Sequence, residues 1–227
     1  MESDYLKQKI EQLTQENAAL EARVAHLDRV EHTLNAILKG TASQTGDDFF
    51  VSLVKYLAET LNVRYALIGE LSGRHNESIR TIAYWTDGKL GANFLYPLAG
   101  SPCAQVIENG VQSYEANTWE QFPEDKVLTE NQIECYIGAP LLNASGQPLG
   151  VLVVLHDQIM EMVHDSVPII TIFAARAGAE LERMHSEETL RTSERRYRHL
   201  IEESNEAIYL VYNGRFELAN DRFCQLF

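Results

Sequence analysis

Leucine recurs at every seventh position near the start of this chain, at Leu6, Leu13, Leu20, Leu27 and Leu34, with Ile10, Asn17, Val24, Glu31 and Leu38 at the companion spacing. This is a heptad ladder with leucine at each d position and β-branched Ile10 and Val24 at a, the pattern of a two-stranded parallel coiled coil. From Leu6 to Leu38 such a helix extends ~50 Å, more than capping a small domain requires. Its apolar seam is narrow, which suits a partner helix better than a domain surface. Asn17 at an a position loses stability but can pair with its twin and fix the register. Glu31, also at a, sets two carboxylates face to face and marks a weak point. The expected partner is a second copy of the chain, in a parallel homodimer; the alternative is a solitary amphipathic helix. The pattern reads the same in a native zipper and in an engineered one.

Composition narrows the setting. The chain has 227 residues, enough for one domain with appendages, and no apolar run long enough to span a bilayer. Three cysteines, Cys103, Cys135 and Cys224, are odd in number and lack metal-ligand spacing, which points to reduced thiols in a cytoplasmic protein. Net charge is −14, and residues 41–165 hold 16 acidic side chains against 6 basic ones. So acidic a body repels nucleic-acid backbone, and no basic region precedes the zipper, so a DNA-binding zipper is excluded. Neither nucleic acid nor membrane is an expected partner.

The heptads stop at Gly40, and the segment 41–46 is a polar break. Asp47 or Asp48 is the expected cap of a helix running to about Leu61, with Phe50, Leu53, Val54 and Leu57 on its apolar face. Strands are expected at Arg64–Leu71, Ile79–Trp85, Asn93–Tyr96, Ile133–Leu141 and Gly150–His156, and the last two should form an antiparallel hairpin through Asn143–Gly146. Gly150–His156 is apolar at alternate and intervening positions alike, so it should be central with both sheet faces covered. Helices can cover one face. The stretch 98–132, with a short helix at Cys103–Glu108 and the aromatic residues Trp119 and Phe122, is the material for the other, and can enclose a small pocket. A helix beginning at Ser166 and Pro168 should run to about Ser204, apolar in its first half and charged from Ser186 to Arg198. After it come a tight hairpin over 207–219 and the start of another helix, which together cannot bury a core and read as a domain cut short.

The stretch Gly100–His156 carries "GSPCAQVIENG", "FPED" followed by Leu128, and "CYIGAPLLNASGQPLGVLVVL". With the helical lead-in "DDFFVSLVKYLAETLNVRYALIGEL", it resembles a GAF domain over residues 41–185. The terminal "SERRYRHLIEESNEAIYLVYNGRFELANDRFCQLF" resembles the first third of a PAS domain. The resemblance implies an α+β fold: an antiparallel sheet of about six strands with helices on one face and a ligand-sized cavity on the other. It divides the chain into a coiled coil (1–40), a GAF domain (41–185), a signalling helix (186–204) and a PAS fragment (205–227). It also implies a sensory input region of a bacterial signalling protein, a two-component histidine kinase or a diguanylate cyclase, whose output domain lies elsewhere.

No constellation of catalytic residues has supporting context, so an enzyme is not the expected reading. His156 and His164 end a strand and begin a helix, while His26, His32, His185 and His199 fall on polar helix faces without a helical metal motif, so no metal is expected. Bilin-attaching GAF domains follow their cysteine with histidine. Here Tyr136 follows Cys135 and Ala104 follows Cys103, which argues against covalent bilin. The cyclic-nucleotide signature of the family is missing as well, leaving the cofactor unknown. The residues expected near the cavity are Tyr84, Trp85, Phe94, Trp119, Phe122 and Tyr136, with Ser101 and Cys103 at the start of its helix. The plain alternative is that these aromatics are core. The function expected is a dimeric cytoplasmic sensory module that signals along coiled-coil helices. Its rivals are a ligand-free dimerisation scaffold and a thiol-dependent methionine sulfoxide reductase.

Overall fold

The structure, a computed structural model, describes residues 9, 12–15, 17, 20, 45–159 and 163–226. Of the zipper, Leu13, Asn17 and Leu20 are described: they are helical, and the two leucines are 49% and 58% exposed, an open seam on the single chain. Leu6, Ile10, Val24, Leu27, Glu31, Leu34 and Leu38 lie outside the described residues. The chain forms two compact units, Met1–Glu180 and Leu181–Phe227.

Helix α1, Asp47–Leu61, buries Phe49, Phe50, Leu53, Val54, Leu57 and Ala58 along one face, the helical spacing that the sequence carries. The expected acidic cap is corrected: Gly46 occupies the N-cap without a side chain, and Asp47 and Asp48 lie in the first turn. There they still favour the positive end of the helix dipole. The Gly46 N–H instead donates to Glu180 at 2.6 Å.

Strands β1 (Tyr65–Ser72), β2 (Ser78–Thr86), β3 (Lys89–Leu90) and β4 (Leu95–Pro97) precede helix α2 (Pro102–Asn109). Then come β5 (Gln112–Tyr114), two short helices α3 (Thr118–Gln121) and α4 (Lys126–Glu130), and the hairpin β6 (Cys135–Leu142) and β7 (Pro148–His156). All pairings are antiparallel, in the order β3-β2-β1-β7-β6-β5, with β4 also on β2. The sheet therefore has seven strands rather than six. Segments as short as β3 and β5 carry no readable alternation, which is why they escape a sequence reading.

β7 lies between β1 and β6, and Val151 to Leu155 are all buried. Leu67, Val151, Val153 and Leu155 pack with Cys103, Val106 and Leu128 of the 98–132 segment. Ala66, Ile68, Leu152 and Val154 alternate with them and are buried on the opposite face. That face is covered by α1 and the first part of α5 (Val163–Glu202), whose Ile170, Phe173, Ala174 and Ala177 are buried. The Tyr56 and Phe173 rings meet at 5.7 Å, and the Arg176 guanidinium sits over Phe49. α5 begins before Pro168, which is inside it rather than at its start and withholds one N–H from the helical ladder.

Two glycines let the strands close. A Cβ on Gly150 would lie 2.1 Å from the Gly69 carbonyl oxygen, and one on Gly178 would lie 2.5 Å from the Leu142 oxygen, so strand and helix backbones touch where no side chain fits.

In the second unit, β8 (Tyr209–Tyr212) and β9 (Arg215–Ala219) form the hairpin, followed by α6 (Asp221–Leu226). Asn220 is fully buried and holds the pieces together. Its amide donates to the carbonyls of Ile201 and Glu206, and its oxygen accepts from the N–H groups of Ile208 and Phe223. No helix among the described residues is long and apolar enough to cross a membrane.

Gly150→Ala is expected to cost about 3 kcal/mol, the upper end for overpacking because the clash is with backbone. Gly146, whose Cβ position is open, should lose less on the same change, through its φ of +77° alone. Urea unfolding of both variants checks the ordering.

Candidate functional site

The sheet face under residues 98–132 is laid out in rows. Tyr65, Leu155, Tyr136 and Tyr114 form one row across β1, β7, β6 and β5; Tyr84, Leu67, Val153 and Gly138 form the next across β2, β1, β7 and β6. Gly138 is the reason the first row can lean into the second. A Cβ there would sit 2.3 Å from the Tyr136 hydroxyl and 2.7 Å from Val106, so its absence lets the phenol lie along the strand beneath α2.

That phenol ends at a thiol. Cys103, in the first turn of α2, has its sulfur 3.4 Å from the Tyr136 hydroxyl and 3.3 Å from that of Tyr96. Burial pushes the Cys103 thiol up, and the two phenolic hydrogen bonds only partly oppose this. Burial likewise drives Tyr96 and Tyr136 well above the ordinary phenol range. All three groups stay protonated at neutral pH.

Beside them is a cavity of about 20 Å³, lined by Leu67, Phe94, Tyr96, Cys103, Asp125 and Tyr136, with Pro102, Val127, Leu128, Val153 and Leu155 completing the wall. Such a volume holds about one water. The one ionisable acid or base among the described residues of that wall, the phenols and thiol aside, is Asp125, which caps α4 by accepting from the N–H groups of Val127 and Leu128 at 3.0 and 3.2 Å. Burial raises its carboxyl above the usual range, while those two N–H groups pull the other way.

Of the residues singled out from the sequence, Phe94, Cys103 and Tyr136 line this space. Tyr84 stands one ring further out, edge-on to Phe94 at 5.2 Å and stacked with Tyr65. Phe122 is also one ring removed, edge-on to Tyr114, which in turn meets Tyr136. Trp119 packs against the same core and donates its ring N–H to Glu134 at 3.4 Å. Ser101 is buried, but its hydroxyl donates to the Leu98 carbonyl at 2.7 Å and is not in the wall. Trp85 is on the other face, opposite Ala66 and under Lys55 of α1. The structure does not bring it to the cavity.

Two wall residues escape the sequence reading. Tyr96 lies two positions beyond Phe94, and the period of an extended segment already puts the two on one side. Asp125 precedes Lys-Val-Leu as an N-cap does, and that cap is what aims it inward. Cys135 is on the opposite side of β6 from Tyr136, donating to the Glu115 carbonyl, so the two domain cysteines do not share a face. No group of three or more His, Cys, Asp or Glu that could hold a metal is present among the described residues.

The fold is that of GAF domains. The chain is similar to the crystal structure of the A. aeolicus nlh2 GAF domain in an inactive state (14% identity, 70% of this chain and 99% of that one, TM-score 0.57). It is also similar to the GAF domain of an Acinetobacter phosphoenolpyruvate-protein phosphotransferase (16%, 73% and 98%, 0.55). A third likeness is to the chromophore binding domain of Stigmatella aurantiaca phytochrome P1 (9%, 68% and 59%, 0.51). The PAS domain family matches residues 195–227. No curated protein matches the chain.

Because burial holds the Asp125 proton in the native state, this group adds stability below the ordinary carboxylate range and loses it as pH rises through its raised value. Asp125→Asn keeps a capping oxygen, and should flatten the pH dependence of stability in that window without loss at neutral pH. Asp125→Ala, which loses the cap as well as the titrating group, should be about 1 kcal/mol less stable than Asp125→Asn at every pH. Thermal unfolding from pH 3.5 to 7.5 checks both. Alkylation of the native protein should be fast at exposed Cys224 and slow at Cys103 and Cys135, which become reactive only on unfolding.

Proposed function

We propose that this chain is a sensory input module, not an enzyme, working in the cytoplasm as a parallel homodimer. A change in the GAF-fold core shifts α5, and α5 hands that shift to the PAS-like segment and to an output domain of histidine kinase or diguanylate cyclase type. The observation that carries this reading is α5 itself. It is continuous from Val163 to Glu202; Ile170, Phe173, Ala174 and Ala177 are buried in its first part, whereas Leu190, Tyr197 and Leu200 are 61–66% exposed further on. Leu190 and Tyr197 are seven residues apart with Leu200 three beyond, the spacing of a seam that a twin helix would cover. With the heptads of residues 6–38, this gives each subunit a zipper before and after the GAF fold. A coiled coil moves between discrete packings, so it can carry two states.

Its structural relatives favour regulation too, since one is described as an inactive state and another as a chromophore binding domain. A reductase reading is disfavoured by the protonated Cys103 and by the placement of Cys135 on the other side of β6. A second reading, a ligand-free dimerisation scaffold, is favoured by one observation: the cavity has room for about one water, whereas drug-sized ligands occupy about 300 Å³ or more.

Sedimentation of the full chain should show a dimer at micromolar concentration. Glu31→Leu should slow dissociation on dilution, and Leu13→Asp with Leu20→Asp should give monomers that remain folded. Monomers at micromolar loading in the parent chain, or helices running antiparallel, would overturn the relay.

A further inference from the structure

The wall of the cavity has a charge character that no resemblance assigns. It offers the rings of Phe94, Tyr96 and Tyr136, one carboxyl from Asp125, and no Lys, Arg or His among its described residues. The covering segment repeats this balance, since residues 98–132 contain six acidic side chains and one lysine. An anion brought here would meet repulsion and no donor with positive charge. Aromatic faces beside a carboxylate are the surroundings that attract an ammonium group, through the ring quadrupole and the ion pair together.

We infer that this cavity is a binding site for a small alkylated ammonium ion, its methyl groups against Phe94, Tyr96 and Tyr136 and its charge against Asp125. The inference rests on the sensory reading, whose input it supplies. One oxygen of Asp125 is committed to the α4 cap, so the other is the one available to the cation. The phenols of Tyr96 and Tyr136 share Cys103, a weak partner, so a guest costs them little when it displaces that contact.

An alkylammonium ion is larger than the 20 Å³ now open, so the wall has to yield. β1, β6 and β7 are paired on both edges and cannot. α4 has five residues and β4 three, and β4 is paired only to β2, so expansion falls on these two. Moving α4 shifts the cover of the sheet, and that is the change a sensor needs. A cation beside a buried carboxyl favours its ionised form, so affinity should rise with pH across the range in which Asp125 titrates.

Thermal unfolding of the full chain at pH 7.5 and matched ionic strength tests this, with trimethylammonium chloride, the neutral trimethyl-substituted alcohol tert-butanol, and sodium acetate as probes. A saturable rise in Tm is expected with trimethylammonium, at least tenfold weaker with tert-butanol, and absent with acetate. Asp125→Asn, which keeps the cap and so the fold, should weaken the trimethylammonium response at least tenfold and leave the tert-butanol response unchanged. Equal responses to the cation and to tert-butanol, an Asp125→Asn variant that binds as the parent does, or no saturable response would each overturn the inference. Sedimentation separates this from the relay. A dimer without an ammonium response overturns the site alone, and a monomer with one overturns the relay alone.

Discussion

A central strand that is apolar on both faces imposes two covers on this sheet, and the rest of the first unit follows from that demand. β7 cannot turn any of Val151 to Leu155 to water without exposing a branched side chain, at about 1.5–3 kcal/mol for each one fully exposed. One cover is regular: α1 and the first part of α5 present helical stripes, and Gly178 lets α5 touch the Leu142 backbone. The other is irregular, because residues 98–132 must descend over the sheet while satisfying their own polar backbone. In α4 the Asp125 side chain does this, accepting from the Val127 and Leu128 N–H groups at the helix start.

The irregular cover also explains why the candidate site is where it is. A helix laid on a sheet fills its groove with side chains at fixed spacing. A segment built of three short helices and a three-residue strand leaves a gap wherever their ends meet, and here α2, α4 and the end of β4 meet over Tyr136. Gly138 then admits the Tyr136 phenol to that place. What remains is small, ringed by protonated groups and one carboxyl, and bounded in part by a five-residue helix and a three-residue strand. Polar groups and short elements coincide at one place in this wall.

Legibility of the sequence followed period and length. α1, β1, β2 and the β6–β7 hairpin are readable because each has at least eight residues of helical spacing, alternation or a continuous apolar run. β3 and β5 were not, with two and three residues. The Asp47 or Asp48 cap failed by one position, since Gly46 takes the N-cap with its φ of +68° and the carboxylates serve the dipole from inside. Phe94, Cys103 and Tyr136 line the cavity because large or sulfur-bearing residues on covered elements face a core. Trp85 was misjudged because composition does not tell which face of β2 a residue takes, and its neighbour Tyr84 takes the other.

By itself, the order of residues determined the heptad ladder, the acidic body, the doubly apolar strand and the two covers it needs, because periodicity and charge are local properties of a chain. Only the tertiary structure decided which aromatic rings share a space, that the space admits about one water, and that Asp125 and Tyr96 belong to its wall. Those facts depend on register and on backbone approach at Gly138, where a missing side chain on one residue fixes the position of another. Such contacts join residues more than thirty positions apart, as Cys103 and Tyr136 show, and no local pattern records them.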